Sequence, residues 1–257
     1  MATRKKKKSA NENRLILGMI MLSGNKTFQL DQLISDYTTH YEITPEDITG
    51  DSNTASFDVD GEIVGIGHMP VPVPSGDIAS TAELAYNWET AVKDLEAHKS
   101  HFVVSVMGNG PDQINRYKIF TRVICSLLRT TPSIGVFMGK QTLLIPKNKY
   151  LEEAAMMCDE WLPLNLWIYF GLRISNGGQS GYTYGLQEFG KNEMEIIDSS
   201  QSIGDIRAFL FNMAHYVLDY DVTFKDGQTC GMSAEEKIKI RFSKGKLVEG
   251  QTLKLAY

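Results

Sequence analysis

The chain contains one order of predicted elements twice. Strand, helix, strand, strand, helix, strand can be followed across residues 15–107 and, less regularly, across residues 133–243. This order is typical of the split βαβ, or ferredoxin-like, unit. The sequence therefore predicts an α+β fold of two tandem ferredoxin-like (βαββαβ) halves with mainly antiparallel sheets. We expect the halves at residues 14–110 and 132–257, joined by a connecting helix at 111–131.

The strands of the first half have the clearest local patterns. Leu15–Leu22 is a continuous apolar run, which is typical of a central strand buried on both faces. Asp60-Gly61 stands between the strand-like segments 55–59 and 62–67 and predicts a tight hairpin. Prolines alternate in Met69–Pro74, which excludes a helix there and predicts an extended connection.

Three longer stretches predict helices. One helix is expected from residue 80 or 81 to about residue 98, and a second lies within the connecting segment 111–131. That second stretch has apolar residues on more than one side, as a buried helix does. The third stretch, 203–218, has a single apolar stripe formed by Ile206, Leu210, Met213 and Val217.

Charge divides the chain into a basic end and an acidic body. Residues 1–8 carry five of the 26 Lys and Arg residues and no acid, which leaves 21 basic and 31 acidic side chains elsewhere. We expect residues 1–13 to form a disordered basic tail. An acidic body is a poor match for nucleic acid, so no nucleic acid partner is expected.

Composition also points to the cytoplasm. No apolar run reaches the ~18 residues that span a bilayer, so no membrane partner is expected. The basic residues before Leu15 resemble a signal peptide, but the polar segment 9–14 intervenes and no small-residue cleavage site follows. The three cysteines, Cys125, Cys158 and Cys230, are odd in number and widely spaced, which indicates a reducing compartment rather than a disulfide framework.

Five polar side chains are candidates for a pocket. Asn212 and His215 stand three residues apart and therefore share one face of the 203–218 helix. The other three are His68 directly before the proline run, Thr183 on a predicted strand and Asp226 in the loop at 225–231. The simpler interpretation is that Asn212 and His215 tie their helix to that loop.

No motif assigns a reaction to these residues. The histidines lack the spacing of a metal site, the glycines at 227 and 231 lack the Lys of a phosphate-binding loop, and no nucleophile elbow occurs. The sequence therefore predicts no catalytic residue, no metal and no cofactor.

Several segments together resemble an uncharacterised bacterial domain family of unknown function, across about residues 14–243. The segments that carry the resemblance are Met69–Pro74 leading to Trp88, His101–Met107, Leu162–Ile168, Tyr182–Leu186, Phe211–Tyr216 and Lys225–Ser233. The resemblance implies a bacterial cytoplasmic protein without an established activity. It also implies an association with interbacterial toxin or stress loci.

The sequence is compatible with two functions, and it does not predict the oligomeric state. The first is a non-enzymatic protein-binding module, immunity-type or accessory to a toxin or secretion locus, whose acidic surface suits a basic partner. The second is an enzyme or small-ligand binder with a polar pocket around His215, Asn212 and Asp226, to which His68 and Thr183 also contribute. If the five side chains meet in one cleft, the second function is favoured; if they anchor separate loops, the first is.

Overall fold

A computed structural model describes residues 15–85, 88–108, 110, 112–233 and 235–257, with the backbone alone at Ser75 and Asp77. The basic tail predicted for residues 1–13 lies outside the described residues. The fold is α+β, as the sequence predicts, with two mostly antiparallel sheets. None of the helices described is long and apolar enough to cross a membrane.

The first sheet has seven strands, all paired antiparallel. They are β1 (Leu15–Leu22), β2 (Glu46–Gly50), β3 (Thr54–Val59), β4 (Glu62–Met69), β5 (Ser100–Met107), β6 (Ser133–Met138) and β7 (Leu143–Pro146). Their order across the sheet is β2-β3-β4-β5-β1-β6-β7. The apolar run of β1 is thus a central strand, as predicted. The Asp60-Gly61 hairpin is also confirmed, with both residues in the left-handed region at φ 53° and 77°.

The second sheet has six strands. They are β8 (Tyr169–Ser175), β9 (Gly178–Tyr184), β10 (Met194–Ser199), β11 (Thr229–Cys230), β12 (Ile238–Lys244) and β13 (Gln251–Leu255). Their order is β11-β12-β13-β10-β9-β8, and only the pairing of β10 with β13 is parallel.

Six α-helices pack on these sheets within the described part of the chain. They are α1 (Leu30–Tyr41), α2 (Ser75–Glu83), α3 (Ala91–Ala97), α4 (Gln113–Thr130), α5 (Lys147–Ala155) and α6 (Ile203–Asp219). Helices α1 and α4 lie on the inner face of the first sheet, and α6 packs on β8 and β9.

The ferredoxin-like strand order is not observed. That unit places its first strand between the third and the fourth, whereas here β5, the predicted fourth strand, lies between β4 and β1. In addition, β6 and β7 pair with the first sheet, although they lie beyond the boundary expected at residues 131/132. The order of elements along a chain is compatible with several pairings, and β1 accepts a neighbour on each edge. The structure therefore has one sheet of seven strands and one of six, and not the two ferredoxin-like halves that the sequence predicts.

The helix expected at 80–98 is broken into α2 and α3 by the packing of Trp88. The Trp88 ring lies over Gly135 of β6, where an added Cβ would come within 2.5 Å of it. Its Nε1 donates to Asp94 Oδ2 at 2.8 Å.

Helix α4 is the connecting helix predicted at 111–131, and it is part of the core rather than a linker. One continuous hydrophobic cluster contains residues of both sheets and of α4. Trp167 donates from Nε1 to Thr121 Oγ1 at 2.9 Å, and Gln141 donates to the Tyr117 hydroxyl at 2.6 Å. The two sheets are therefore joined through the side chains of α4.

A buried ion pair fixes the start of α4 to the first sheet. Arg116 donates from Nε and Nη2 to the two oxygens of Glu62 at 2.7 and 3.0 Å, and from Nη2 to the Gly110 carbonyl at 2.8 Å. Arg116 is 1% exposed and Glu62 is 5% exposed. Loss of either partner would leave a buried charge without its counter-charge.

We predict that Glu62→Gln lowers the free energy of unfolding by about 3–5 kcal/mol, because it leaves Arg116 charged and unpaired in the core. Glu152→Gln is the matched control, since the Lys149–Glu152 pair has the same 2.7 Å separation on exposed side chains. It should cost far less, because water screens an exposed pair. Urea unfolding of both variants measures the difference, and equal losses would contradict the prediction.

A buried carboxylate holds the loop between β12 and β13. Glu195 is 0% exposed and accepts hydrogen bonds from the backbone amides of residues 246–248, from Thr252 and from Lys254. Burial raises the pKa of Glu195, but Lys254 and the three amides outweigh burial and hold that pKa below its usual range. The ionised form is therefore stabilised by folding.

We predict that Glu195→Gln destabilises the protein by roughly 3 kcal/mol at neutral pH. A lowered pKa contributes stability above the ordinary glutamate range and loses it as the pH falls through the folded-state value. The difference in stability between wild type and Glu195→Gln should therefore decrease at acidic pH. Thermal unfolding across pH measures it, with exposed Glu249→Gln on the same loop as control. A stability difference that stays constant with pH would contradict the conclusion that folding stabilises the ionised form of Glu195.

Candidate functional site

An aromatic cleft lies beside α6 in the second sheet's half of the molecule. Its volume is about 620 Å³. One wall is the exposed side of α6, a second is Trp161, and a third is β11 with the turn that follows it. The lining residues are Glu160, Trp161, Asn212, Met213, His215, Tyr216, Asp219, Tyr220, Phe224, Thr229, Cys230, Gly231, Met232, Ser233, Glu236 and Lys237.

The periodicity of α6 creates the first wall. Its apolar stripe packs on β8 and β9 so closely that a Cβ at Gly181 would lie 2.6 Å from Ile206 Cγ2. The opposite side of the helix therefore faces outward. Asn212, His215, Tyr216, Asp219 and Tyr220 recur there at spacings of three and four residues.

Aromatic rings cover much of this surface and are unusually exposed. Trp161, Tyr216 and Tyr220 are 40%, 42% and 69% exposed. The Trp161 ring lies 5.1 Å from His215, and the Tyr216 ring lies 5.3 Å from Tyr220 and 6.1 Å from Phe224. The cleft thus offers a row of rings rather than a single side chain.

His215 has a structural partner, but it is not the one predicted. Its Nε2 accepts a hydrogen bond from the Leu162 backbone amide at 3.2 Å. His215 therefore ties α6 to the segment that holds Trp161, and not to the loop at 225–231. Asn212 makes no hydrogen bond to any described residue, so its amide remains available in the cleft.

The other three candidates lie on separate elements. Thr183 is buried, where it donates to Glu193 and accepts from the Met194 amide. Asp226 accepts from the Phe242 amide at 2.8 Å and anchors its loop to β12. His68 lies in the first sheet, 5.5 Å from the Phe102 ring. The structure therefore brings together Asn212 and His215 but not the five residues.

The rim of the cleft is acidic. Glu160 and Asp219 are exposed and have no ion pair or hydrogen bond in the described part of the protein. Glu236 accepts from the Met232 amide at 2.6 Å, and Lys237 is the lining residue of opposite charge. Three carboxylates against one ammonium give the cleft a negative potential.

The described lining of the cleft contains one thiol, Cys230, and one imidazole, His215. Burial, with a smaller effect of Glu236, raises the pKa of the Cys230 thiol to about 11, so the thiol is protonated and a poor nucleophile at neutral pH. His215 is engaged at Nε2 by a backbone amide. Across the described ranges, no group of three or more His, Cys, Asp or Glu side chains could hold a metal ion.

The sequence pattern did not single out the aromatic residues of the cleft. Tyr216 and Tyr220 belong to the outward spacing of α6, which is visible in the sequence as a second stripe. Trp161 follows α5 in an irregular segment without periodicity, so no local pattern places it against α6.

We predict that His215→Ala lowers stability by about 1–3 kcal/mol, because it leaves the buried Leu162 amide without its acceptor. Asn212→Ala is the matched control on the same helix face and should change stability by less than about 0.5 kcal/mol. Chemical denaturation of the two variants tests this difference. A His215→Ala protein as stable as Asn212→Ala would show that the Leu162 contact is not what His215 supplies.

Comparison with known proteins bears on the half of the molecule that contains the cleft. No curated protein matches the chain. Residues 182–256 match the model of a family described as Domain of unknown function (DUF4261). The matched segment includes α6 and β11 but not Trp161. The match confirms the predicted resemblance to an uncharacterised domain family of unknown function.

Proposed function

We propose that the protein is a non-catalytic protein-binding module and that the aromatic cleft beside α6 receives a basic, partly apolar segment of its partner. The observation that carries the proposal is the row of exposed rings inside an acidic rim. The exposed rings gain from burial against apolar side chains, and the unpaired carboxylates of the rim attract a cation.

The rings supply the apolar part of the contact. Large exposed aromatic side chains are the residues that most often dominate binding energy at protein interfaces, because they bury much area for little lost freedom. Trp161, Tyr216 and Tyr220 are each at least 40% exposed. They would lose that exposure to an apolar side chain lying between them.

The rim supplies the charged part. Glu160 and Asp219 have no cationic partner within the described residues, so a Lys or Arg side chain would complete an ion pair with either of them. The same cation can also lie over a Tyr or Trp ring, which attracts positive charge through its π face. An acidic surface further accelerates the encounter with a basic partner.

The scatter of the five polar candidates supports binding over catalysis. Thr183 and Asp226 satisfy backbone and side-chain groups of their own sheet, and His68 lies in the other sheet. A narrower form of the proposal follows from the resemblance: the partner is a basic toxin or a secretion component in the bacterial cytoplasm, and the protein is an immunity-type or accessory protein.

A small-molecule ligand is the second candidate function. The unpaired Asn212 amide favours it, as does the cleft volume of about 620 Å³, which is within the range of ligand pockets. Such a ligand should be lost on Asn212→Ala. Ligand-observed NMR with a library of small polar compounds, on wild type and Asn212→Ala, separates this candidate from a protein segment.

We predict that a peptide of alternating Arg and Leu binds the full chain and that Tyr220→Ala and Asp219→Asn each weaken it. Removing a ring that becomes buried at an interface costs about 1 kcal/mol or more, which is at least a several-fold loss of affinity, whereas removing a rim charge mainly slows association. Added salt should weaken binding through the charged component. Isothermal titration calorimetry measures all three effects.

Two controls keep the peptide experiment specific. Tyr184→Ala removes a ring that is 38% exposed on β9 outside the cleft, and it should bind as wild type does. A peptide with Glu in place of Arg should not bind. Equal binding of both peptides, or equal affinity in all three variants, would refute the cleft as a site for a basic segment.

A further inference from the structure

The second sheet has a face that points away from α6. Gly181 of β9 faces Ile206 of that helix, whereas the ring of its neighbour Tyr182 lies on the other side of the strand, across Gly171. We call the side that carries Tyr182 the outer face. Its side chains can be followed from strand to strand by register, because directly paired residues point to the same side of a sheet.

One end of the outer face is basic. The pairing places Tyr182 beside Glu195, Glu195 beside Lys254 and Lys254 beside Arg241. Lys239 stands on the same side of β12, two residues or about 7 Å from Arg241. The outer face therefore becomes positively charged where β12 and β13 lie.

Three cations at this end lack a counter-charge. Lys246 belongs to the loop after β12, which closes onto the outer face through amide bonds to Glu195. Lys254 is bound by Glu195 at 2.6 Å. In contrast, the exposed side chains of Lys239, Arg241 and Lys246 make no ion pair or hydrogen bond within the described part of the chain.

The charges of the chain are segregated rather than mixed. Residues 237–246 contain five Lys or Arg and no acid, and residues 237–254 contain six and one, although acids outnumber bases in the chain as a whole. The net charge, which predicts no nucleic acid partner, is an average over the surface. A ligand at the outer face meets the local potential, and here that potential is positive.

Tyrosine rings occupy the other end of the same face. Tyr182 and Tyr184 alternate along β9, and Tyr184 is 38% exposed. Both line a cavity of about 420 Å³. Leu247 and Val248, which follow Lys246 in the loop, also line it, so this tyrosine cavity begins where the basic end stops.

We propose that the outer face binds a single strand of nucleic acid, with phosphates on Lys239, Arg241 and Lys246 and a base in the tyrosine cavity. The two ends of the face match the two chemical parts of such a ligand. Phosphates pair with Lys and with the planar fork of Arg, and a base of any identity stacks on an aromatic ring. Arg241 and Tyr182 are three strand spacings apart, about 14 Å, which a few nucleotides span.

The cavity distinguishes this ligand from other anions. Glu249 lines the cavity and repels the carboxylates of an acidic peptide there, whereas it can accept a hydrogen bond from the amino group of a base such as cytosine. A duplex offers phosphates, but its bases are paired and stacked, so none can enter a cavity. A single strand supplies both the phosphates and an unpaired base.

The test is fluorescence anisotropy of the full chain with a labelled single-stranded DNA of mixed sequence, about 12 nucleotides long, at several salt concentrations. Wild type should bind, with log affinity falling linearly with log salt. Arg241→Gln and Lys239→Gln should each reduce the slope of that line by about 0.7, the value for one phosphate contact of a single strand. Tyr184→Ala should weaken binding about fivefold or more at an unchanged slope, because stacking is uncharged.

Lys26→Gln is the matched control, since it removes an exposed Lys without an ion pair in the part of the chain before α1. It should change neither affinity nor slope. The basic residues 1–8 are present in every variant and therefore cancel in the comparison. Tyr220→Ala should bind DNA as wild type does, so this proposal and the proposed function of the aromatic cleft can fail separately.

The substituted residues are all exposed, and thermal unfolding checks that each variant is folded. A wild-type chain that does not bind the oligonucleotide would overturn the proposal. So would Arg241→Gln and Tyr184→Ala proteins that bind as Lys26→Gln does, which would place the DNA on another surface. An acidic peptide that displaces the labelled DNA as effectively as unlabelled DNA does would also overturn it.

Discussion

Helix α4 is the element on which the rest of the structure depends, because it is buried along almost its whole length and contacts both halves of the molecule. Its residues belong to a hydrophobic cluster that includes both sheets. Arg116 binds Glu62 at one end, and Arg129 donates from Nε and Nη2 to Asp36 of α1 at the other. Since both ends are held by ion pairs and the middle by apolar packing, α4 fixes where the second sheet lies and hence where the aromatic cleft opens.

The elements that could be predicted from the sequence are those specified locally. The apolar run of β1, the Asp60-Gly61 hairpin and the two long periodic helices depend on neighbouring residues alone, and each lies where its pattern indicates. The strand order depends on which edges meet after the chain collapses. No local pattern states that β5 lies beside β1, or that β6 joins the first sheet. The break at Trp88 is of the same kind, because its cause is Gly135, far away in sequence.

Some residues of the candidate site could likewise be identified from the sequence, and others could not. Asn212 and His215 were identifiable because they share a helix face, and both line the cleft. The hydrogen-bond partner of His215 could not be identified from the sequence, since the Leu162 amide comes from an irregular segment 53 residues away. Thr183 and Asp226 are polar residues whose partners lie within their own sheet, and a sequence does not distinguish such anchors from pocket residues. The buried carboxylate of Glu195 was missed for the same reason, because its amide donors come from a loop 51–53 residues later.

The central claim is that the aromatic cleft binds a basic segment, and Trp161 reports on it directly. Trp161 is 40% exposed, whereas Trp88 and Trp167 are 8% and 0% exposed, so a water-soluble quencher reaches mainly Trp161. Acrylamide quenching of tryptophan fluorescence, with and without the Arg-Leu peptide, is the decisive measurement. We expect the peptide to reduce quenching in wild type and to have no such effect in Trp161→Phe. Quenching that the peptide leaves unchanged in wild type would contradict the claim.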